Sequence, residues 1–245
     1  MERNPALSVI VPAYNEARRI GPTLEHALRY LRALPWSFEL IVVDDGSRDA
    51  TVEVVQAQIA NAPEARLIGY IPNRGKGYAV RTGVLASRGR FVVFLDADLS
   101  TPAEEIPKAL AAVEAGADLV IGSRRHPESE IVVRQPLYRR VATAIFDGAR
   151  HTIVGLRQYA DTQCGFKAMR GDVARALFAR AVIDRFMFDV ELLYLAERAH
   201  LTVREQPVRW ADAPGTKVRF VEGVVNMAKD LVRIRWVHRG RVELV

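Results

Sequence analysis

Apolar residues along this chain fall into two kinds of pattern. Ser8–Val11, Glu39–Val43, Leu67–Tyr70, Phe91–Leu95 and Leu119–Ile121 are short runs dominated by β-branched and other apolar side chains. Between them, Pro22–Leu34, Thr51–Ile59, Lys76–Ser87 and Glu104–Glu114 place apolar residues at helical intervals. Short strands of this type alternating with helices predict an α/β fold, a mostly parallel sheet with helices on both faces. Ligands of such sheets bind beyond the carboxyl ends of the strands. Tyr14-Asn15-Glu16, Asp44-Asp45 and Asp96-Ala97-Asp98 each follow one of these strands, so they are predicted to meet at one edge.

The pattern changes after residue 124. Pro136–Leu156 reads as a long helix with arginines between its apolar positions, Phe188–Ala199 as a helix, Thr202–Val208 as a strand and Phe220–Val237 as an amphipathic helix. With no repeat and no linker, residues 1–245 are expected to form one domain. Its parts are a ligand-binding half over 8–124, a second half over 125–220 and a C-terminal amphipathic segment over 220–245. The 245 residues are 49% hydrophobic and 26% charged, which excludes a disordered or low-complexity chain. One cysteine excludes a disulfide framework and a Cys-rich zinc site, and fits a reducing compartment.

The formal charge of +6 calls for an anionic partner: nucleic acid, anionic lipid or a phosphorylated substrate. Arginines gather at Arg124, Arg125, Arg134, Arg139, Arg140, Arg150 and Arg157, and again from Lys229 to Arg241. Aromatic residues are 8% of the chain and are not interleaved with these cations, which argues against nucleic acid. No segment approaches the ~18–20 apolar residues that span a bilayer, and the N-terminus carries no targeting pattern. The expectation is a cytoplasmic protein able to lie on a membrane surface. On Phe220–Val237 an apolar stripe (Val221, Val224, Val225, Ala228, Leu231, Val232) accompanies Lys229, Arg233 and Trp236, which suits an anionic interface or, equally, a core-facing helix with a solvated basic face.

Several short motifs carry chemistry. Asp96-Ala97-Asp98 puts two carboxylates where a strand leaves the sheet, a placement that suits a divalent cation bridging to phosphate, although such triplets also occur on plain solvated turns. Asp44-Asp45-Gly46-Ser47 lacks the spacing of a calcium loop; Ser47 or Asp49 is expected to cap the helix from Thr51 while Asp45 reaches a ligand. Asn73-Arg74-Gly75-Lys76-Gly77 is neither a dinucleotide fingerprint nor a Walker A loop, yet a basic, Gly-rich turn into a helix makes an anion site. Cys164 reads as a small packing residue, and Asp189 as a helix-opening carboxylate with a possible catalytic role.

Together these motifs resemble the family 2 glycosyltransferases of GT-A fold. V-I-V-P-A-Y-N-E (Val9–Glu16), V-V-D-D-G-S-R-D (Val42–Asp49), N-R-G-K-G, D-A-D and G-S-R (Gly122–Arg124) stand in family order. D-T-Q-C-G-F-K (161–167), F-D-V-E-L-L-Y (188–194), the Trp210–Lys217 stretch and Met227–Arg235 narrow the resemblance to the dolichyl-phosphate β-glucosyltransferase branch. The resemblance covers residues 8 to about 237. It implies that Pro12, Tyr14, Glu16, Val43, Asp45, Arg74, Lys76, Asp96, Ala97, Asp98 and Lys217 bind a nucleotide sugar. It implies that Asp98 and Asp96 hold Mg²⁺ or Mn²⁺, and that Arg124, Arg134 and Arg139 meet an acceptor phosphate. Arg124, Asp161 and Asp189 are the catalytic candidates.

The implied reaction is an inverting, metal-dependent transfer of glucose from UDP-glucose to a polyprenyl or dolichyl phosphate, by an enzyme peripheral on the cytoplasmic face of a membrane. A phosphate acceptor is already largely ionised near neutral pH, so no strong base is demanded. The alternatives are a GDP-mannose-dependent polyprenyl-phosphate mannosyltransferase and a family 2 transferase with a non-lipid acceptor. Ala211, six residues before Lys217, stands where the mannosyl branch has arginine, and the eukaryotic glucosyl branch has an N-terminal membrane anchor that is not read in this chain. Gln206-Pro207-Val208-Arg209-Trp210 spells the Q-x-x-R-W of processive synthases on a strand pattern, and we read it as coincidence.

Overall fold

A computed structural model describes residues 4–133, 146–212 and 220–240, with 220–225 described in backbone only. Strands β1 (Leu7–Ala13), β2 (Phe38–Asp44), β3 (Ala65–Gly69), β4 (Phe91–Phe94) and β5 (Leu119–Ser123) alternate with helices α1 (Ile20–Arg32), α2 (Thr51–Ile59), α3 (Lys76–Ala86) and α4 (Ile106–Glu114). These elements lie within two residues of the boundaries expected from the apolar pattern, except that a 3₁₀ turn (Ala103–Glu105) precedes α4. After β6 (Glu130–Val133) come a helix over residues 146–153 (α5), then β7 (Lys167–Arg170), α6 (Gly171–Arg180), α7 (Phe188–Arg198), β8 (Val203–Pro207), β9 (Arg209–Ala211) and α8 (Phe220–Val237).

Among the described residues, seven strands form the main sheet in the order β3-β2-β1-β4-β7-β5-β8. β7 runs antiparallel to both neighbours and the remaining pairs are parallel. The carboxyl ends of β1, β2, β4 and β5 therefore share one edge, and β7, being reversed, starts from that same edge. Side chains alternate between two cores, as a sheet covered on both faces requires. Ile10, Ile41, Val43, Val92 and Phe94 face a cluster completed by Val80 of α3, Leu177 of α6, Leu192 of α7 and Leu231 and Ile234 of α8. Val9, Val11, Leu40, Val42 and Val93 face Leu24 and Leu28 of α1, Val55 of α2 and Leu110 of α4.

The second half departs most from the sequence expectation. β6 and β9 pair in a small parallel ribbon, and neither was expected as a strand. β7 emerges directly from what reads as a polar loop, and α6 was not foreseen. The helix expected over 136–156 is described only from 146 to 153. On α8 the buried stripe is offset from the expected one: Leu231 and Ile234 are buried, Met227 packs beside them, and Ala228 and Val232 face outward. The reason is that α8 rests on α7, which fixes its rotation. Trp236, Lys229 and Arg233 are exposed as expected. No helix among the described residues is long and apolar enough to cross a membrane.

Candidate active site

The D-A-D turn leaves β4 between two anchors. Thr23 Oγ1 donates to Ala97 O at 2.7 Å, and Leu99 takes a left-handed φ of 49° as its N–H returns to Asp96 O. Asp98 turns Oδ1 onto the backbone N–H (3.0 Å) and hydroxyl (2.6 Å) of Ser100. Its Oδ2 faces Arg19 at 3.5 Å, and Arg19 in turn grips Glu16 with two hydrogen bonds of 2.7 Å. Asp96 lies flat against Gly165: a Cβ there would stand 1.8 Å from Asp96 Oδ2, so only glycine lets the 161–167 loop come this close.

Lys76, the first residue of α3, meets Asp96 Oδ1 at 2.6 Å. Burial works against its ammonium, but the Asp96 and Asp189 carboxylates outweigh that and raise its pKa. The loop before it is held by Asp45, which accepts from Arg74 N–H (2.7 Å), Gly75 N–H (2.8 Å) and Asn73 Nδ2 (2.6 Å). Burial raises the Asp45 pKa against these donors. Asp45 thus builds the loop, rather than pointing into open space. Arg74 stacks on Tyr78, 3.7 Å from the ring centre, and is half exposed.

At the end of β5, Arg124 forms a fork with Asp161 (Nε–Oδ2 2.6 Å, Nη2–Oδ1 2.8 Å) and adds its own N–H at 3.0 Å. Burial opposes ionisation of Asp161, but the guanidinium prevails and lowers its pKa to about 2. The same partner raises the Arg124 pKa against burial. A carboxylate so held is a poor proton acceptor, which makes Asp161 an orienting partner of Arg124. Asp189, at the start of α7, is buried against Lys167 Nζ at 2.5 Å. Burial raises its pKa in spite of Lys167 and Lys76.

The other expected residues divide clearly. Tyr14 and Glu16 lie at the edge, where β1 ends. Pro12 and Val43 are buried strand residues paired across β1 and β2, and Val43 points into the core, so only its backbone can meet a ligand. Ala97 is buried. Lys217, Arg134 and Arg139 lie outside the described residues. Neither Ser47 nor Asp49 is the helix cap residue of α2; Ser47 instead accepts from Asn15 N–H, while Asp49 does accept from Thr51 N–H. Arg19 was missed, and Asn73 and Lys167 stood inside quoted motifs without a role of their own. Arg19 stands three residues from Glu16, a usable helical spacing; Lys167 has no such mark, since it follows the apolar Phe166.

Among the described residues, no three His, Cys, Asp or Glu side chains gather into a metal cage. Asp96 and Asp98 are two partly exposed carboxylates on one turn. That donor set suits Mg²⁺ or Mn²⁺ when phosphate oxygens and water complete the shell, so the residues fit such an ion together with a diphosphate.

Residues 8–178 match the family model described as Glycosyl transferase family 2. The chain belongs to that family. Curated relatives of this family 2 chain include the dolichyl-phosphate beta-glucosyltransferases of Drosophila melanogaster (39% identical, covering 97% of this chain and 77% of the relative), of Dictyostelium discoideum (37%, 95% and 75%) and of Homo sapiens (35%, 94% and 74%). Among solved structures, glucosyl-3-phosphoglycerate synthase from Mycobacterium tuberculosis in complex with Mn²⁺, UDP and glucosyl-3-phosphoglycerate shares the GT-A-type fold at 20% identity. The match has a TM-score of 0.64 and covers 94% of this chain and 78% of that one.

Proposed function

We propose that this family 2 transferase moves glucose from UDP-glucose onto a polyprenyl phosphate of the dolichyl type, with inversion at the anomeric carbon. The observation that carries the reading is the likeness to dolichyl-phosphate beta-glucosyltransferases along almost the whole chain. The Lys76–Asp96 pair, Asp98 and the Arg124 fork at one sheet edge supply the groups such a transfer needs.

In the proposed reaction an ionised oxygen of the acceptor phosphate attacks C1 of the glucose. The bond from C1 to the diphosphate oxygen breaks, and UDP departs with the electron pair. An α-linked donor thereby gives a β-linked product. Asp98 and Asp96 would hold Mg²⁺ or Mn²⁺, which supplies positive charge against the leaving diphosphate. Lys76 adds charge beside them and orients Asp96, and Arg74 flanks the nucleotide. Arg124 turns its guanidinium, oriented by Asp161, toward phosphate. Lys217, Arg134 and Arg139 are proposed as further phosphate contacts. A dianionic acceptor needs no proton removed. Should one be removed, Asp189 is the better acceptor of the two candidates, because burial raises its pKa whereas Arg124 depresses that of Asp161.

We further propose that α8 lies on the cytoplasmic face of a membrane, where the lipid acceptor resides. Trp236, Val232 and Val237 are exposed beside Arg233, Arg235 and Arg239, the mixture that binds an anionic interface. The test is a transfer assay with purified protein, divalent metal, polyprenyl phosphate in detergent, and labelled UDP-glucose or GDP-mannose. Label from UDP-glucose in the organic phase supports the reading. Label from GDP-mannose alone overturns the donor, and transfer only to water-soluble phosphates overturns the acceptor.

A further inference from the structure

Glu191 sits on α7 two residues beyond Asp189, and it is fully buried. The reaction as described makes no use of it. Its Oε1 accepts the N–H of Val182 at 2.9 Å and lies 2.8 Å from His238 Nε2; its Oε2 accepts the N–H of Ile183 at 2.9 Å. A carboxylate bonded to backbone N–H groups away from water is a strong acceptor, and removing it strands buried donors.

The segment that Glu191 holds is the outer wall of the basic loop. Asp184 O accepts from Tyr78 N–H at 2.9 Å, while Arg81 bridges Ala181 O (3.0 Å) and Asp184 Oδ1 (2.5 Å). The packing leaves no slack. A Cβ on Gly75, whose φ is 110°, would lie 2.5 Å from Asp184 O, and one on Gly77 would lie 2.6 Å from Ile183 O. Lys76 is enclosed between these two glycines, with its ammonium on Asp96. Asp45 grips the same loop from its other side. The loop is therefore set between two buried carboxylates, one touching it directly and one acting through residues 182–184.

We infer that Glu191 is a positioning residue for the nucleotide-sugar donor: it fixes residues 182–184, and through them the Asn73–Gly77 loop that presents Arg74 and Lys76. His238 ties the end of α8 to the same carboxylate. The inference rests on the proposed reading of that loop as donor-facing. It predicts a selective effect: the donor is bound less well while the acceptor is bound as before.

The experiment uses the full chain with Glu191→Ala, Glu191→Gln and His238→Asn. Donor and acceptor KM are measured separately, with UDP affinity by calorimetry in Mn²⁺ and amide hydrogen exchange in the absence of ligand. Glu191→Ala should raise the donor KM and the UDP Kd by about tenfold, the scale of one lost buried hydrogen bond, with the polyprenyl-phosphate KM changed less than about twofold. Glu191→Gln, which keeps one acceptor oxygen, should fall between Ala and the native residue and serves if Ala does not fold. Exchange should accelerate at Tyr78 as well as at Val182 and Ile183, and stay unchanged in β1 and β2. A merely structural role predicts a lower Tm with unchanged donor KM; that result, or acceleration confined to 182–183, overturns the proposal. If the native enzyme transfers nothing from UDP-glucose, the functional reading fails by itself, and Tyr78 exchange still decides this one.

Discussion

Two lysine–aspartate pairs lie a short way apart at the working edge of the sheet, and they have opposite surroundings. Lys76–Asp96, at 2.6 Å, keeps 21% and 29% of its side chains exposed; Lys167–Asp189, at 2.5 Å, keeps 0% and 5%. Both join a residue from one element to a carboxylate on another, with nearly the same geometry. At the open pair, water or a diphosphate can take over from either partner, so its ions can trade one another for substrate at little cost. At the closed pair neither ion can be exchanged, because losing one leaves the other charged inside the core. The Lys167 ammonium also donates to Cys164 O at 3.0 Å, so the closed pair shapes the 161–167 loop whose Gly165 cradles Asp96. The open pair can therefore trade its partners with a ligand, while the closed pair is held fixed behind it.

The largest effect expected is on turnover. Asp98→Ala should lower transfer by about 10³-fold, the scale of losing a charge-stabilising group, with Tm nearly unchanged because Asp98 is part-exposed; full activity in that variant would remove the D-A-D turn from the chemistry. Breaking the closed pair comes next, and its effect is on stability. Lys167→Met should cost about 3–5 kcal/mol, and Lys76→Met distinctly less, because its pair is part-exposed. Adding Asp189→Leu to Lys167→Met should restore most of the loss, since a buried pair replaced by apolar groups is often neutral. Equal denaturation midpoints for the two lysine variants would erase the contrast.

A smaller effect sharpens the same contrast through pH. The Asp161 pKa is lowered to about 2 from an ordinary value of 3.8. A carboxylate whose folded pKa is depressed contributes stability above its unfolded pKa and loses it as pH falls through the folded value. Asp161→Asn should therefore cost about 2–3 kcal/mol at neutral pH, with the gap to the native chain closing between pH ~4 and ~2. A gap independent of pH would show that the Arg124 fork is not what stabilises Asp161.

The half over residues 8–124 was largely legible in the sequence for a physical reason. Strands buried on both faces read as apolar runs, and whatever polar residue ends such a run must lie at the sheet edge; Asp45 and Asp96 are found that way, whereas Arg124 came from the family motif that ends at it. The second half resisted because its determinants are tertiary. β7 begins and ends with cations, Lys167 and Arg170, so nothing in its four residues marks a central strand. Lys167 is buried only because Asp189 arrives from α7. Glu191 reads as an ordinary acidic residue in a first helical turn, and its partners at 182, 183 and 238 come from two other segments. The rotation of α8 is set by α7 and not by its own apolar count. Val43 shows a further limit: its motif position suggests ligand contact, and strand alternation, which turns its side chain into the core, leaves only its backbone for that.

The most direct test of the division between open and closed pairs is donor affinity. UDP-glucose with Mn²⁺ is titrated calorimetrically into the native chain, Lys76→Met, and the double variant Lys167→Met/Asp189→Leu. Lys76→Met should weaken binding by about tenfold or more, the worth of one charge-assisted contact, while the double variant should bind within about twofold of native. Native affinity in Lys76→Met, with binding lost in a folded double variant, would contradict that division.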